Sequence, residues 1–216
     1  MAVTITGRLV GMSNTVYTLV IIIPVILIAI SVHETMHALA SYWLGDDTAQ
    51  VAGRISLNPL RHIDPFLTVL LPILLVLAHQ PPFGAAKPVM VNFNRVKWGE
   101  FGGAVVAAVG PLSNLVMAVA AAAALRAFHP SGAAYDFLGY AVILNIGFFV
   151  FNSIPWPPLD GSRVLYAFAP RPLQEFMEGI ERWGIMGLIL FLLLFYPLLS
   201  PLVSNLVQKL AAGLLL

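Results

Sequence analysis

Apolar residues fill five long stretches of this chain, and polar residues mark the joints between them. The stretches run from about Val16 to Leu44, Phe66 to His79, Phe101 to Phe128, Phe137 to Pro155 and Gly184 to Val207. A helix that crosses a membrane needs about 20 mainly apolar residues, and a run of about 10–14 more often re-enters or stays buried. Four stretches approach or exceed the crossing length. The second does not, and it holds Pro72, so a re-entrant segment is expected over residues 64–80. After the first stretch, QVAGRISLNPL sets Val51, Ile55 and Leu57 around Gly53, a pattern that suggests a short β-hairpin. The stretch from Pro157 to Arg182 is polar enough for one or two interfacial helices. Trp98, Trp156 and Trp183 suit anchoring at the membrane surface.

Composition agrees with this pattern. Hydrophobic residues make up 59% of the 216 positions and charged residues 10%, whereas soluble domains carry about 25% charged residues. Long apolar runs recur towards the C-terminus, so a single signal peptide does not account for them. The expected class is an all-α polytopic membrane protein, a helical bundle with about four full transmembrane helices. A net charge of +1 leaves no footprint for nucleic acid. The chain has no cysteine, which excludes disulfides, iron–sulfur clusters and thiolate catalysis. Nitrogen and oxygen must therefore supply any metal ligands.

One of the apolar stretches carries unusual chemistry. Between Val16 and Leu44 the large, strongly polar side chains are His33, Glu34 and His37, in the string HETMH. An ionised carboxylate at the centre of a bilayer costs at least ~2.5 kcal/mol, so an intramembrane acid points to function. In a helix, His33 and His37 project from one face and can share a metal. Glu34 is displaced by about 100 degrees and lies near the metal without binding it, placed to take a proton from attacking water. Zinc lowers the pKa of water that it binds to around 7. Two histidines hydrogen-bonded inside a bundle are the bland alternative, but the first stretch offers Glu34 no Lys or Arg partner.

A catalytic zinc usually has three protein ligands. His62, His79 and His129 lie at segment edges, and Asp160 follows the fourth stretch inside NSIPWPPLDGSRV. Pro155, Pro157 and Pro158 break the helix there, and irregular backbone at membrane depth is tolerated only beside protein or a wet cavity. Asp160 with Gly161 equally suits an ordinary turn and helix cap. Gly110 and Pro111 fall inside the third stretch, where a small residue lets a neighbouring helix approach. Asn114, one turn on, suits either a hydrogen bond to the first or fourth helix or plain helix packing.

Three ordered motifs carry a resemblance to a known family: HETMH, GPLSN (Gly110 to Asn114) and NSIPWPPLDG (Asn152 to Gly161). Together they resemble the signatures of site-2 proteases, the intramembrane zinc metalloproteases. NPLRHIDP (Asn58 to Pro65) and AKPV (Ala86 to Val89) resemble a compact subgroup without a PDZ-like or CBS-like domain. The resemblance implies one Zn2+ per chain, with His33, His37 and Asp160 as ligands and Glu34 as catalytic base. It implies that Asn152 lies near the site and donates to the developing oxyanion. It also implies a single membrane-embedded protease domain over 1–216, with a catalytic core of about 16–168 and a C-terminal transmembrane helix of about 184–207. The implied activity is endopeptidase cleavage of single-span membrane proteins within or near their transmembrane helices. A catalytically silent zinc-binding scaffold for partner helices is the main alternative, and a metal carrier is a third reading. A carrier needs ligands strung along a path, whereas these cluster at one depth.

If His37 and Asp160 share a metal, the first and fourth helices point the same way, and an odd number of crossings separates them. Re-entry of residues 64–80 satisfies this and a full crossing does not. Cytoplasmic loops collect Lys and Arg, and the re-entrant arrangement puts eight such residues inside and three outside. The expectation is an outside N-terminus and a zinc site towards the cytoplasm, in the cell membrane of a prokaryote.

Overall fold

The computed structural model describes residues 15–70, 73, 74, 77, 87 and 89–215. Four helices in it are long and apolar enough to cross a membrane: Val16–Trp43, Gly99–Phe128, Ala133–Asn152 and Met186–Leu215. In chain order the α-helices are α1 (Thr15–Trp43), α2 (Thr48–Val51), α3 (Gly99–Phe128), α4 (Ala133–Asn152), α5 (Asp160–Tyr166), α6 (Arg171–Glu181), α7 (Ile185–Leu190) and α8 (Tyr196–Leu215). A π turn at Phe191–Phe195 joins α7 to α8, so the two form one long rod. The protein is an all-α polytopic membrane protein.

The expected hairpin does not form: among the described residues there is no strand. Thr48–Val51 closes a helical turn instead, and Pro59–Arg61 a 3-10 turn capped by the Asn58 side chain, which accepts from Leu60 N–H at 3.1 Å. The alternation around Gly53 was too short to outweigh these local backbone bonds. Pro65–Leu70 winds as a π turn, and most of the re-entrant stretch beyond it lies outside the described residues. Its two flanks nevertheless meet. Lys97 N–H donates to the Leu44 carbonyl at 2.7 Å, and Asn92 N–H to the Asp46 carboxylate at 2.8 Å. Residues 45–96 thus leave and rejoin the bundle at one end, with no net crossing.

α1 stops where its sequence requires. Gly45, at φ 102°, takes the left-handed position that glycine adopts without steric cost. Asp46 N–H then bonds back to Ser41 O and Gly45 N–H to Tyr42 O, the paired bonds of a Schellman motif. α3 packs against α1, α4 and α5. Between membrane helices no hydrophobic force drives association, so close contact requires small residues. α3 supplies them in a buried stripe of Gly103, Ala107, Gly110, Asn114, Ala118 and Ala121. Ile22, Ile26, Ala29 and Ile30 of α1 pack on Leu144 and Phe148 of α4. Ala118 and Ala122 of α3 pack with Val142 and Ile146 of α4 and Ala211 of α8.

α4 ends at Asn152, just before the proline-rich break. The break leads into the short helices α5 and α6. Trp98 and Trp183 are exposed, and Trp156 is half-buried. Its indole stacks on Phe191 at 5.4 Å and lies 4.8 Å from Phe195, because the break turns it onto the last membrane rod.

Candidate metal centre

His33 and His37 lie one turn apart on α1, both buried. Their Nε2 atoms are 3.0 Å apart. Asp160, the first residue of α5, brings its Oδ2 to 3.2 Å from His33 Nε2 and 3.4 Å from His37 Nε2. The break after α4 produces this approach, and Gly161 permits it, since a Cβ there would strike the Ser153 carbonyl. Asp160 is not the cap of its helix: Leu159 holds the N-cap position, and no side-chain cap bond forms.

Each ring has its other nitrogen committed. His33 Nδ1 is 2.6 Å from Asn114 Oδ1, and His37 Nδ1 is 2.7 Å from the Val106 carbonyl. Both partners accept, so each Nδ1 carries the proton and each Nε2 presents a lone pair to the centre. Asp160 Oδ2 is buried and has no hydrogen-bond partner. Three such atoms converging on one point are arranged as the ligands of one cation would be. In a tetrahedral zinc site with ligands at about 2.0–2.1 Å, neighbouring donors lie roughly 3.3 Å apart, close to the separations found here. The donor set fits zinc. Gly110 faces the pair across α3, and a Cβ at that position would collide with His37 Nε2 and His33 Cε1.

A cavity of about 900 Å3 reaches this centre. Glu34 lines it, half-buried, and its Oε2 accepts from Val89 N–H at 3.0 Å. Asn152 lines it too, but its Nδ2 donates back to the Phe148 carbonyl at 3.0 Å. At the rim, Arg163 grips Glu181 with bonds of 2.8 and 2.7 Å, and its guanidinium lies 4.4 Å over the Phe93 ring. Tyr166 donates to Glu178 at 2.6 Å, and that carboxylate pushes the phenol up to about 12. These contacts tie α5, and with it Asp160, to α6 and to the loop beside Glu34.

Three features had no place in the sequence reading: the Val106 carbonyl, the Val89 N–H and Asn145. Backbone groups leave no mark in a sequence. Asn145 did leave one, as an uncharged polar residue in an otherwise apolar span. Of the histidines weighed as third ligand, His62 is buried with its Nε2 2.7 Å from the Ser56 carbonyl, His129 caps the end of α3, and His79 lies outside the described residues.

No family model and no solved structure matches the chain. Curated relatives do. The chain is 35% identical over 176 residues to the Bacillus subtilis (strain 168) protein named "Putative zinc metalloprotease YwhC", covering 77% of each. It is 29% identical over 167 residues to "Putative zinc metalloprotease Rip2" of Mycolicibacterium smegmatis, covering 76% of this chain and 63% of the relative. The Mycobacterium tuberculosis proteins of that name are 31% identical over 142 residues, covering 64% of this chain and 53% of theirs. With this kinship and a donor triangle suited to zinc, the chain belongs to the site-2 protease family of zinc metalloproteases.

Proposed function

We propose that the protein is an intramembrane endopeptidase that hydrolyses peptide bonds within or near the transmembrane helices of single-span membrane proteins. One observation carries this reading: His33 Nε2, His37 Nε2 and Asp160 Oδ2 form a donor triangle against the apolar helix α1, and Glu34 stands beside it in the same cavity. Zinc held by these three donors would polarise the scissile carbonyl and acidify the attacking water.

Glu34 takes the proton of that water as its oxygen adds to the carbonyl carbon. The carbon–nitrogen bond then breaks, and Glu34 returns the proton to the departing amine. Val89 N–H holds one carboxylate oxygen and leaves the other for this shuttle. Asn152 stabilises the developing oxyanion once its amide gives up the bond to Phe148 O. A substrate helix has its backbone fully paired, so it must open locally first. Relative to Ala, Gly in the substrate span lowers that cost by about 1 kcal/mol, Pro by about 3 and Asn by less than about 1. Lys and Arg gather on the loop side of the site, which supports a cytoplasmic orientation, and the bacterial relatives support a prokaryotic cell membrane.

The test is co-expression with single-span membrane proteins, read by fragment size, in the wild type and in Glu34→Gln. The expected outcome is loss of the fragments with zinc still bound, because Glu34 lies outside the donor triangle. Fragments that persist in the variant would sink the peptidase assignment. A wild type that holds zinc and partners without cutting would favour the scaffold.

A further inference from the structure

We infer that Asn145 is a positioning residue for the metal centre, and that an amide relay from α4 through Asn114 sets the proton position on His33. Asn145 is 1% exposed and does not reach the donor triangle itself. Its Nδ2 donates to the Ala141 carbonyl at 2.8 Å. A carbonyl can only accept, so this bond fixes which way the Asn145 amide faces. Its Oδ1 then points to Asn114 and accepts from Asn114 Nδ2 at 2.9 Å. Asn114 Nδ2 also has the Ala29 carbonyl, another pure acceptor, at 3.3 Å. Asn114 is 0% exposed, so no solvent offers its amide a competing arrangement. Both acceptors hold the NH2 end away from α1's histidine, and Asn114 Oδ1 is left facing His33 Nδ1 at 2.6 Å. His33 must donate from Nδ1, and its Nε2 keeps the lone pair that a metal requires.

The two histidines thus reach the same tautomer by different routes. His37 relies on a backbone carbonyl, which cannot rotate. His33 relies on a side-chain amide that would present NH2 to the ring if it flipped, and a flip would favour the opposite tautomer. Asn145 removes that freedom. The relay also spans three helices, because α4 directs a group on α3 that orients a ligand on α1.

The relay concerns metal binding, so its test does not need the peptidase reaction. Asn145→Leu approximates the branched shape without a polar group, Asn145→Ala cannot overpack, and Asn145→Ser supplies a hydroxyl that donates to a carbonyl of its own helix and leaves its oxygen to accept from the Asn114 side. Purified protein is titrated with zinc against a competing chelator, and 15N-histidine spectra of the metal-free protein report the His33 tautomer, assigned with His33→Gln. Loss of a partner bonded directly to the ligand, as Asn114 is, typically weakens metal affinity about 10–100-fold, so the Leu and Ala substitutions, one bond further out, are expected to reach its lower end, about tenfold. Both should also raise the Nε2-protonated population of His33, leave His37 unchanged and hold the thermal midpoint of the metal-free protein. Asn145→Ser should recover most of the affinity. Wild-type affinity with an unchanged His33 tautomer in either nonpolar variant overturns the proposal. So does a loss that follows the thermal midpoint and is as large in Asn145→Ser, since that marks a merely structural role.

Discussion

At the scale of single residues, the centre depends on atoms that are absent as much as on ligands. Gly110 is the clearest case. Its α-carbon faces the gap into which both imidazoles fit, and any side chain there must displace them. Overpacking of a tight interior typically costs about 1–3 kcal/mol, and here the strain falls directly on the ligand rings. Gly110→Ala is expected to weaken zinc affinity about tenfold or more while the protein still inserts and folds, measured by chelator competition. Unchanged affinity would mean that the rings relax without cost. Histidines four apart with an intervening glutamate could be read from the sequence, because helix periodicity alone puts them together. The Gly110 contact was legible only as general closeness between helices, since its partner depends on how α3 is rotated against α1.

At the scale of elements, the loop beside Glu34 is held by the end of α1. Asp46 is fully buried and accepts from Thr48 N–H and Oγ1 and from Asn92 N–H, three residues beyond the Val89 N–H that holds Glu34. Burial alone would raise the Asp46 carboxyl, but the Thr48 and Asn92 hydrogen bonds and the nearby Arg95 outweigh it and hold it below its ordinary 3.8. A carboxyl depressed in the folded state stabilises that state above its unfolded value, and the contribution is lost as pH falls through the folded value. Asp46→Asn should therefore loosen the loop at neutral pH by about 1.5–3 kcal/mol, the usual range for hydrogen bonds to a charged acceptor. The gap from wild type should close at pH values below 3.8. Hydrogen exchange at residues 89–97 reads both effects, and a gap independent of pH would remove Asp46 as the anchor. The sequence predicted interfacial helices between Pro157 and Arg182, and α5 and α6 lie there. It also suggested a hairpin from a few alternating residues, and local helical bonds prevailed.

At the scale of the whole molecule, the chain has no native cysteine, so single cysteines report cleanly on topology. With no net crossing between Leu44 and Lys97, cysteines at Ala86 and at Asp47 should react from the same side, and one at His129 from the opposite side. The orientation proposed from the charge bias has the first side cytoplasmic. An Ala86→Cys protein labelled only by external reagent would overturn the orientation. The sequence by itself determined the membrane class, the approximate extent of four long helices and the HETMH pair, because hydropathy and helical period act within one segment. It also marked Asp160 as a candidate, but the residues there suited a turn and cap as well as a ligand. Tertiary structure favours the ligand reading, by bringing Asp160 Oδ2 to 3.2 and 3.4 Å from the two imidazoles. It alone showed which carbonyl and which amides orient each ring, because those contacts depend on the relative rotation of α1, α3 and α4. Local periodicity does not contain that rotation, which is fixed by small residues packing helix against helix.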